Sequence, residues 1–294
     1  MNQFQFELQR CQGLVEVNLA AYFTQNVPQK TLLDAMRYSL LAGGKRIRPI
    51  LALKFCEAAG GSLEQALPYA CAVEMLHTYS LIHDDLPSMD NDDLRRGKPT
   101  NHKRFGECTA TLAGDALQAA AFETILTAPL PAEVNVAAGL TLARGAGALG
   151  MCGGQQLDME GETRIFTLKE VARMNQLKTG CLLNAACVMG VLAAGVAMDD
   201  PMAAAAERYA KAIGLAFQVR DDMLNVTSTE AEMGKPVGND IESHKSTYVS
   251  LLGLDKCASV IAQQTAAAKD AIRGCLPDTD FLCDLADYLA GREK

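Results

Sequence analysis

Five aspartates, Asp84, Asp85, Asp90, Asp92 and Asp93, fall within ten positions, and Arg95 and Arg96 follow at once. So many like charges in one short stretch repel each other unless something neutralises them. Oxygen-only ligands of this kind suit magnesium, which keeps several waters and takes its other ligands from one or two carboxylates and from substrate phosphates. Arg95 and Arg96 would then grip phosphate oxygens directly. Taken alone, the stretch also fits a solvated acidic loop. A second stretch, residues 217–225, repeats the theme with Gln218, Asp221 and Asp222. Two acidic helix ends facing each other would hold a metal cluster between them, bridged by a diphosphate.

The elements that must position these groups can be read from the flanks. The apolar run 70–82 carries Val73, Leu76 and Leu81 at helical spacing, which puts Asp84 and Asp85 at the C-terminal end of a helix. The helix dipole is negative there, a poor place for bare anions. Pro87 stops the ladder and turns the chain, so Asp90 can come back towards Asp84. His77 stands two turns before Asp84 on nearly the same face; a lone histidine on an apolar helix is otherwise a core residue. Upstream, a helix opened by Thr31 and ending at Gly43-Gly44 leads into Lys45-Arg46-Ile47-Arg48-Pro49, with Pro49 able to take the first position of the next helix. Free amides and cations at a helix start bind phosphate, although an ordinary basic turn has the same composition. Pro129 and Pro131 precede a helix that reaches Gly150. Lys178-Thr179 opens an apolar run, residues 181–198, in which Asn184 is the only polar residue. A lysine at the mouth of so apolar a segment needs an anionic partner. Residues 226–245, rich in Gly, Pro and charge and containing Lys235 and Lys245, have the length and composition of a mobile active-site lid.

With 294 residues and 49% hydrophobic content, the chain can bury a large core. Helical periodicity runs almost throughout and no linker interrupts it, so residues 1–294 read as one all-α domain. A balance of 27 basic against 35 acidic side chains, net −8, argues against nucleic acid and makes any phosphate binding local. The ten cysteines include no Cys-x-x-Cys pair and read as reduced residues of a cytoplasmic protein. No export signal is expected from the polar N-terminus. The run 181–198 is read as a buried core helix and not a membrane span, because Ala and Gly dominate it and Asp199, Asp200 and Pro201 end it.

The ordered set of motifs resembles the trans-prenyltransferases (isoprenyl diphosphate synthases), most of all the bacterial farnesyl branch. Asp84, Asp85, Asp90, Arg95 and Arg96 match that family's first aspartate-rich motif in its longer form. Asp221 and Asp222 match the second, with Asn225 where a third aspartate is usual. The similarity runs from Gly43 to the C-terminus and implies a bundle of about ten or more helices around a central apolar cavity. It implies that Asp84, Asp90 and Asp221, supported by Asp85 and Asp222, bind Mg²⁺, three ions per site, with Mn²⁺ able to substitute. It implies that Lys45, Arg48, His77, Arg96 and Gln218 hold isopentenyl diphosphate, and that Arg95, Lys178, Lys235 and Lys245 hold the allylic diphosphate. Gln155 and Asp158 match a motif near the allylic substrate, Thr179 and Gln218 turn oxygens towards the reacting carbon, and Arg292 belongs to a basic tail over the isopentenyl subsite.

The resemblance also implies the reaction: head-to-tail condensation of isopentenyl diphosphate with dimethylallyl and then geranyl diphosphate, giving farnesyl diphosphate, in a homodimer. Geranylgeranyl diphosphate synthesis and a catalytically silent partner subunit are the alternatives; a terpene cyclase would not need the Lys45/Arg48 subsite. The growing chain would run down the helix below Asp84, where Ser80 and Tyr79 lie about 6 to 7.5 Å back. Spacing alone does not choose between them. The resemblance points to Tyr79 as the floor that limits product length, while a core tyrosine with its hydroxyl satisfied elsewhere is the plainer reading.

Overall fold

The computed structural model describes residues 2–227 and 246–292, so Lys235 and Lys245 lie outside the described residues. Helix α1 (Gln3–Ala21) starts on a capping box, Asn2 accepting from the Gln5 amide while Gln5 reaches back to the Asn2 amide. It buries Leu8, Cys11, Val15 and Leu19, one stripe at helical spacing. Helix α2 (Lys30–Leu40) begins one residue before Thr31 and stops short of Gly43, leaving six residues to carry the basic turn. Helix α3 (Ile47–Ala58) starts two residues before Pro49, because Arg46 takes the left-handed conformation and serves as its N-cap. Helix α4 (Leu63–Asp84) is capped by Ser62 and Gln65 and ends at Asp84, with Asp85 as C-cap, as the apolar run predicts.

A short antiparallel pair, β1 (Leu94–Arg95) and β2 (Lys98–Pro99), interrupts what reads as surface loop. It is followed by α5 (Asn101–Phe105) and α6 (Glu107–Leu126). Helix α7 (Ala132–Ala146) stops before the expected Gly150, and α8 (Met151–Gly161) starts beyond it. Helix α9 (Leu168–Asn175) runs through a π turn (Gln176–Gly180) into α10 (Cys181–Ala193). The long α11 (Pro201–Thr227) carries the second acidic motif, and α12 (Tyr248–Leu252), α13 (Leu254–Ile272) and α14 (Asp280–Gly291) complete the described residues. Among the described residues the architecture is all-α, the two-residue strand pair aside.

Helices α3, α4 and α10 pack mutually at the centre, with α6 against α4 and α13 against α11. Almost every α10 side chain is buried, including Leu182, Leu183, Val188, Met189, Val191 and Leu192. Burying each large aliphatic one contributes about 1.5–3 kcal/mol. A smaller cluster, Phe166, Val171, Val219, Tyr248, Cys257 and Ile261, supports the C-terminal half of α11. Two helical runs, Ala132–Gly161 and Leu168–Ala193, are long and apolar enough to cross a membrane by length and composition; 67% of the apolar 18-residue window of the second is buried inside the fold. All ten cysteines are free, and five of them are buried.

Candidate active site

At the end of α4 the chain folds back on itself. The Asp90 amide donates to the Asp84 carbonyl at 2.8 Å, and the Asn91 amide, at φ 53°, donates to the Leu86 carbonyl at 3.1 Å. The turn after Pro87 therefore returns Asp90 to Asp84, as its position predicts. Burial pushes the half-buried Asp84 carboxyl up to about 6; Asp90 and Asp85 push the same way, and Lys178 and Arg95 oppose them.

Asp85 is buried, and both its oxygens are held. Arg95 Nε donates to both its oxygens at 2.7 and 2.9 Å, and Nη2 lies 2.6 Å from Oδ1. Arg95 also lies 3.7 Å from Asp92. The Arg95 fork thus holds Asp85 and ties the β1–β2 pair to the end of α4.

The π turn brings in the next groups. Gly154 on α8 lies so close that a Cβ there would sit 2.1 Å from the Lys178 amide nitrogen, so the two backbones are in direct contact. This places Lys178 Nζ 2.5 Å from Asp158 Oδ2, the anionic partner its position requires, with Asp84 also within its field. The neighbouring Thr179 hydroxyl donates to Gln218 Oε1 at 3.4 Å, and Gln218 Nε2 donates to Asp222 Oδ1 at 3.2 Å. Asp222 is buried and its other oxygen accepts the Tyr248 amide at 2.7 Å, so it anchors α11 to α12. Gln155 Nε2, on α8, is buried without a hydrogen-bond partner.

Asp221 carries a partner that sequence reasoning places elsewhere. Arg292 Nη2 lies 2.5 Å from Asp221 Oδ1, its guanidinium stacks 3.7 Å from the Phe217 ring, and Arg220 holds the Arg292 carbonyl at 2.9 and 2.7 Å. Arg292 therefore meets the second acidic motif, where the resemblance implies the isopentenyl subsite. Asn225 follows one turn later on the same helix.

Two turns below Asp84 a separate, cationic cluster forms. Arg48 Nη1 lies 3.4 Å from His77 Nε2, and Arg48 Nε is buried with no partner. Burial, with Arg48 and Arg96 close by, holds His77 well below the usual imidazole range, and burial also lowers Arg48. Arg96, at φ 52°, donates to the Gly43 carbonyl and lies flat on Gly44, where a Cβ would sit 2.8 Å from Arg96 Cζ. Lys45 is half-buried in the same turn, its carbonyl accepting from Gln12 at 3.1 Å. Arg46 looks equivalent in sequence but is sealed in the core, paired with Glu74 at 2.5 Å and Glu16 at 2.7 Å. Clustered cations with a buried, unsatisfied Arg48 donor call for an anion.

Ser80 and Tyr79 separate clearly. The Ser80 hydroxyl donates to the His77 carbonyl of its own helix at 2.9 Å, whereas the buried Tyr79 hydroxyl reaches α8 and lies 3.2 Å from Cys152 Sγ.

Among the described residues, no three Asp, Glu, His or Cys side chains gather closely enough to hold a metal ion unaided. The donor set fits a hard divalent ion that completes its shell with phosphate and water: Asp84 and Asp90 are adjacent oxygen donors, and ionised Asp84 is costly until a cation approaches.

The family model described as polyprenyl synthetase matches residues 29–274. The chain is 46% identical to the farnesyl diphosphate synthase of Micrococcus luteus over 268 residues, 90% of this chain and 91% of that protein. It is likewise 46% identical over 266 residues to the geranylgeranyl diphosphate synthase of Cyanophora paradoxa, 90% and 88% of the two chains. Among solved structures, an FPP/GFPP synthase from Zymomonas mobilis superimposes with TM-score 0.88 at 35% identity, over 97% of this chain and 98% of the other.

Proposed function

The chain belongs to the polyprenyl synthetase family, and from that premise we propose that it joins isopentenyl diphosphate head to tail with dimethylallyl and then geranyl diphosphate, releasing farnesyl diphosphate. The observation that carries this reading is the pairing on one helix of two different anion sites. The acidic end of α4 with Lys178 suits a metal-bound diphosphate, and the cluster of Arg48, His77 and Arg96 two turns below suits a second diphosphate without metal.

In this reading Asp84 and Asp90, with Asp221 on α11, are the side chains that would hold magnesium. The bound ions would neutralise the departing diphosphate as Lewis acids. Lys178, steadied by Asp158, adds positive charge to the same group. Arg95 acts through Asp85 by holding the acidic turn in shape. Lys45, Arg48 and Arg96 bind the isopentenyl diphosphate, and neutral His77 donates to it without adding charge. The allylic C–O bond breaks, the isopentenyl double bond attacks the allylic carbon, and the proton lost from the new chain passes to the released diphosphate. Thr179 and Gln218 present oxygens towards the electron-poor carbon, and the apolar helices keep water from it.

The chain acts as one domain in the cytoplasm, where its free thiols stay reduced, and as a homodimer. Leu112 and Leu126 on α6 and Val136 and Leu140 on α7 are exposed apolar side chains on packed helices, the face a second copy would cover. The test is incubation with isopentenyl and dimethylallyl diphosphates plus magnesium, followed by chromatography of the dephosphorylated products. Farnesol is expected. Geranylgeraniol as the main product would favour the second reading, carried by the equal identity to the Cyanophora enzyme. No prenyl alcohol at all would overturn both.

A further inference from the structure

Helices α4 and α8 are joined by two polar rungs. The upper one is the ion pair of Asp158 on α8 with Lys178, in whose field Asp84 on α4 lies; the lower one is the contact of the Tyr79 hydroxyl with Cys152 Sγ at 3.2 Å. Tyr79 precedes Asp84 by five residues and Cys152 precedes Asp158 by six, so the rungs stand about 7.5 to 9 Å apart on the two helices. The Tyr79 ring is braced from its other side. His83, one turn above, meets it edge-on at 5.3 Å with an interplanar angle of 90°. His83 is itself held by α6, where Nε2 lies 3.0 Å from the Thr111 carbonyl oxygen and 3.7 Å from Asp115. Its place depends on Gly114, since a Cβ there would lie 2.2 Å from Nε2.

We propose that product length is set by a clasp, Tyr79 hydroxyl to Cys152 thiol, that closes the space between α4 and α8 below the acidic site, with Cys152 as the positioning residue. The proposal rests on the prenyl-transfer reading and deepens it. Tyr79 has two χ angles, and a ring anchored only at its edge can swing aside as the chain lengthens. A hydroxyl tied to the neighbouring helix cannot swing without losing that bond. Cys152 is the one member of the clasp that lies outside the diphosphate machinery and is exposed, so changing it leaves the chemistry intact.

The test compares the C20 to C15 product ratio, and the initial rate of the first condensation, in the unmodified protein and in Cys152→Ala, Cys152→Ser, Tyr79→Phe and Tyr79→Ala. Cys152→Ala and Tyr79→Phe are each expected to raise the ratio about fivefold, the effect of one neutral hydrogen bond. Their combination should exceed neither single change by much, because both remove the same contact. Cys152→Ser should restore the original ratio, and the first condensation in Cys152→Ala should keep its rate within about twofold. If Tyr79→Ala lengthens the product while Cys152→Ala and Tyr79→Phe do not, the floor stands and the clasp is refuted. If Tyr79→Ala also releases only C15, floor and clasp both fall. Absence of any prenyl product from the unmodified protein overturns the function and the clasp together.

Discussion

Gly154→Ala touches no substrate, yet it should disable the site. Its added methyl would lie 2.1 Å from the Lys178 nitrogen and 2.5 Å from the Lys178 Cα, both backbone atoms that cannot rotate away. Ordinary contact begins at 3.4 Å, so α8 and the π turn must separate by about 1.3 Å. That displacement acts on the one segment that sets Lys178 against Asp158 and Thr179 against Gln218. Misplacing a charge clamp by about 1 Å costs on the order of a hundredfold in rate. Overpacking of this kind also costs about 1–3 kcal/mol of stability, a few degrees of Tm in a chain of this size. The assay is kcat by release of diphosphate, run at a temperature where circular dichroism shows both proteins fully folded. A fall of about a hundredfold in kcat with Tm lowered by only a few degrees is expected. Turnover within threefold of the parent would refute the placement of Lys178.

Asp84→Ala and Asp221→Ala should each lower kcat by about a hundred- to a thousandfold, since each removes a carboxylate from the site of the departing diphosphate; steady-state rates at saturating magnesium check this. Asn225→Asp should lower the magnesium concentration needed for half-maximal rate, because the carboxamide supplies an oxygen but no charge; superimposable titrations of the two proteins would show that the position does not tune the metal. Asp84 makes the metal requirement depend on pH. Its folded value of about 6 lies above the ~3.9 of an unfolded aspartate, so its contribution to stability is present below ~3.9 and lost as pH rises through 6. At neutral pH it is ionised against that gradient, and a bound cation relieves it. Magnesium with inorganic diphosphate should therefore raise Tm more at pH 7.5 than at pH 5.5, and a Tm shift independent of pH would contradict the assignment.

The local features were legible because local rules govern them. The apolar spacing of 70–82 placed the end of α4, Pro87 placed the return of Asp90, and the basic turn at 45–49 marked the cationic cluster. What escaped depends on contacts between distant segments. Arg95 and Arg96 are adjacent and chemically alike, yet one closes on Asp85 and the other on Gly43, a division set by the β1–β2 pair. Arg46 could not be told from Arg48 without seeing Glu74 and Glu16 beside it. The bond between Arg292 and Asp221 spans 71 residues, and a lone C-terminal arginine carries no signal of it. The π turn at 176–180 was hidden for a different reason: its extra residue is absorbed inside a continuous helix, so hydrophobic periodicity passes over it. Hydroxyl direction likewise separates Tyr79 from Ser80 where spacing along α4 does not.

In the proposed reaction α4 contributes to two diphosphate sites, one with metal and one without. Calorimetric binding of isopentenyl diphosphate, and of a non-reactive thio analogue of geranyl diphosphate, with and without magnesium, tests it most directly. Isopentenyl diphosphate should bind equally in both conditions and be lost in Arg48→Ala, whereas the analogue should bind only with magnesium and be lost in Asp84→Ala. Magnesium dependence of both ligands, or loss of both in either variant, would contradict the separation of the two sites.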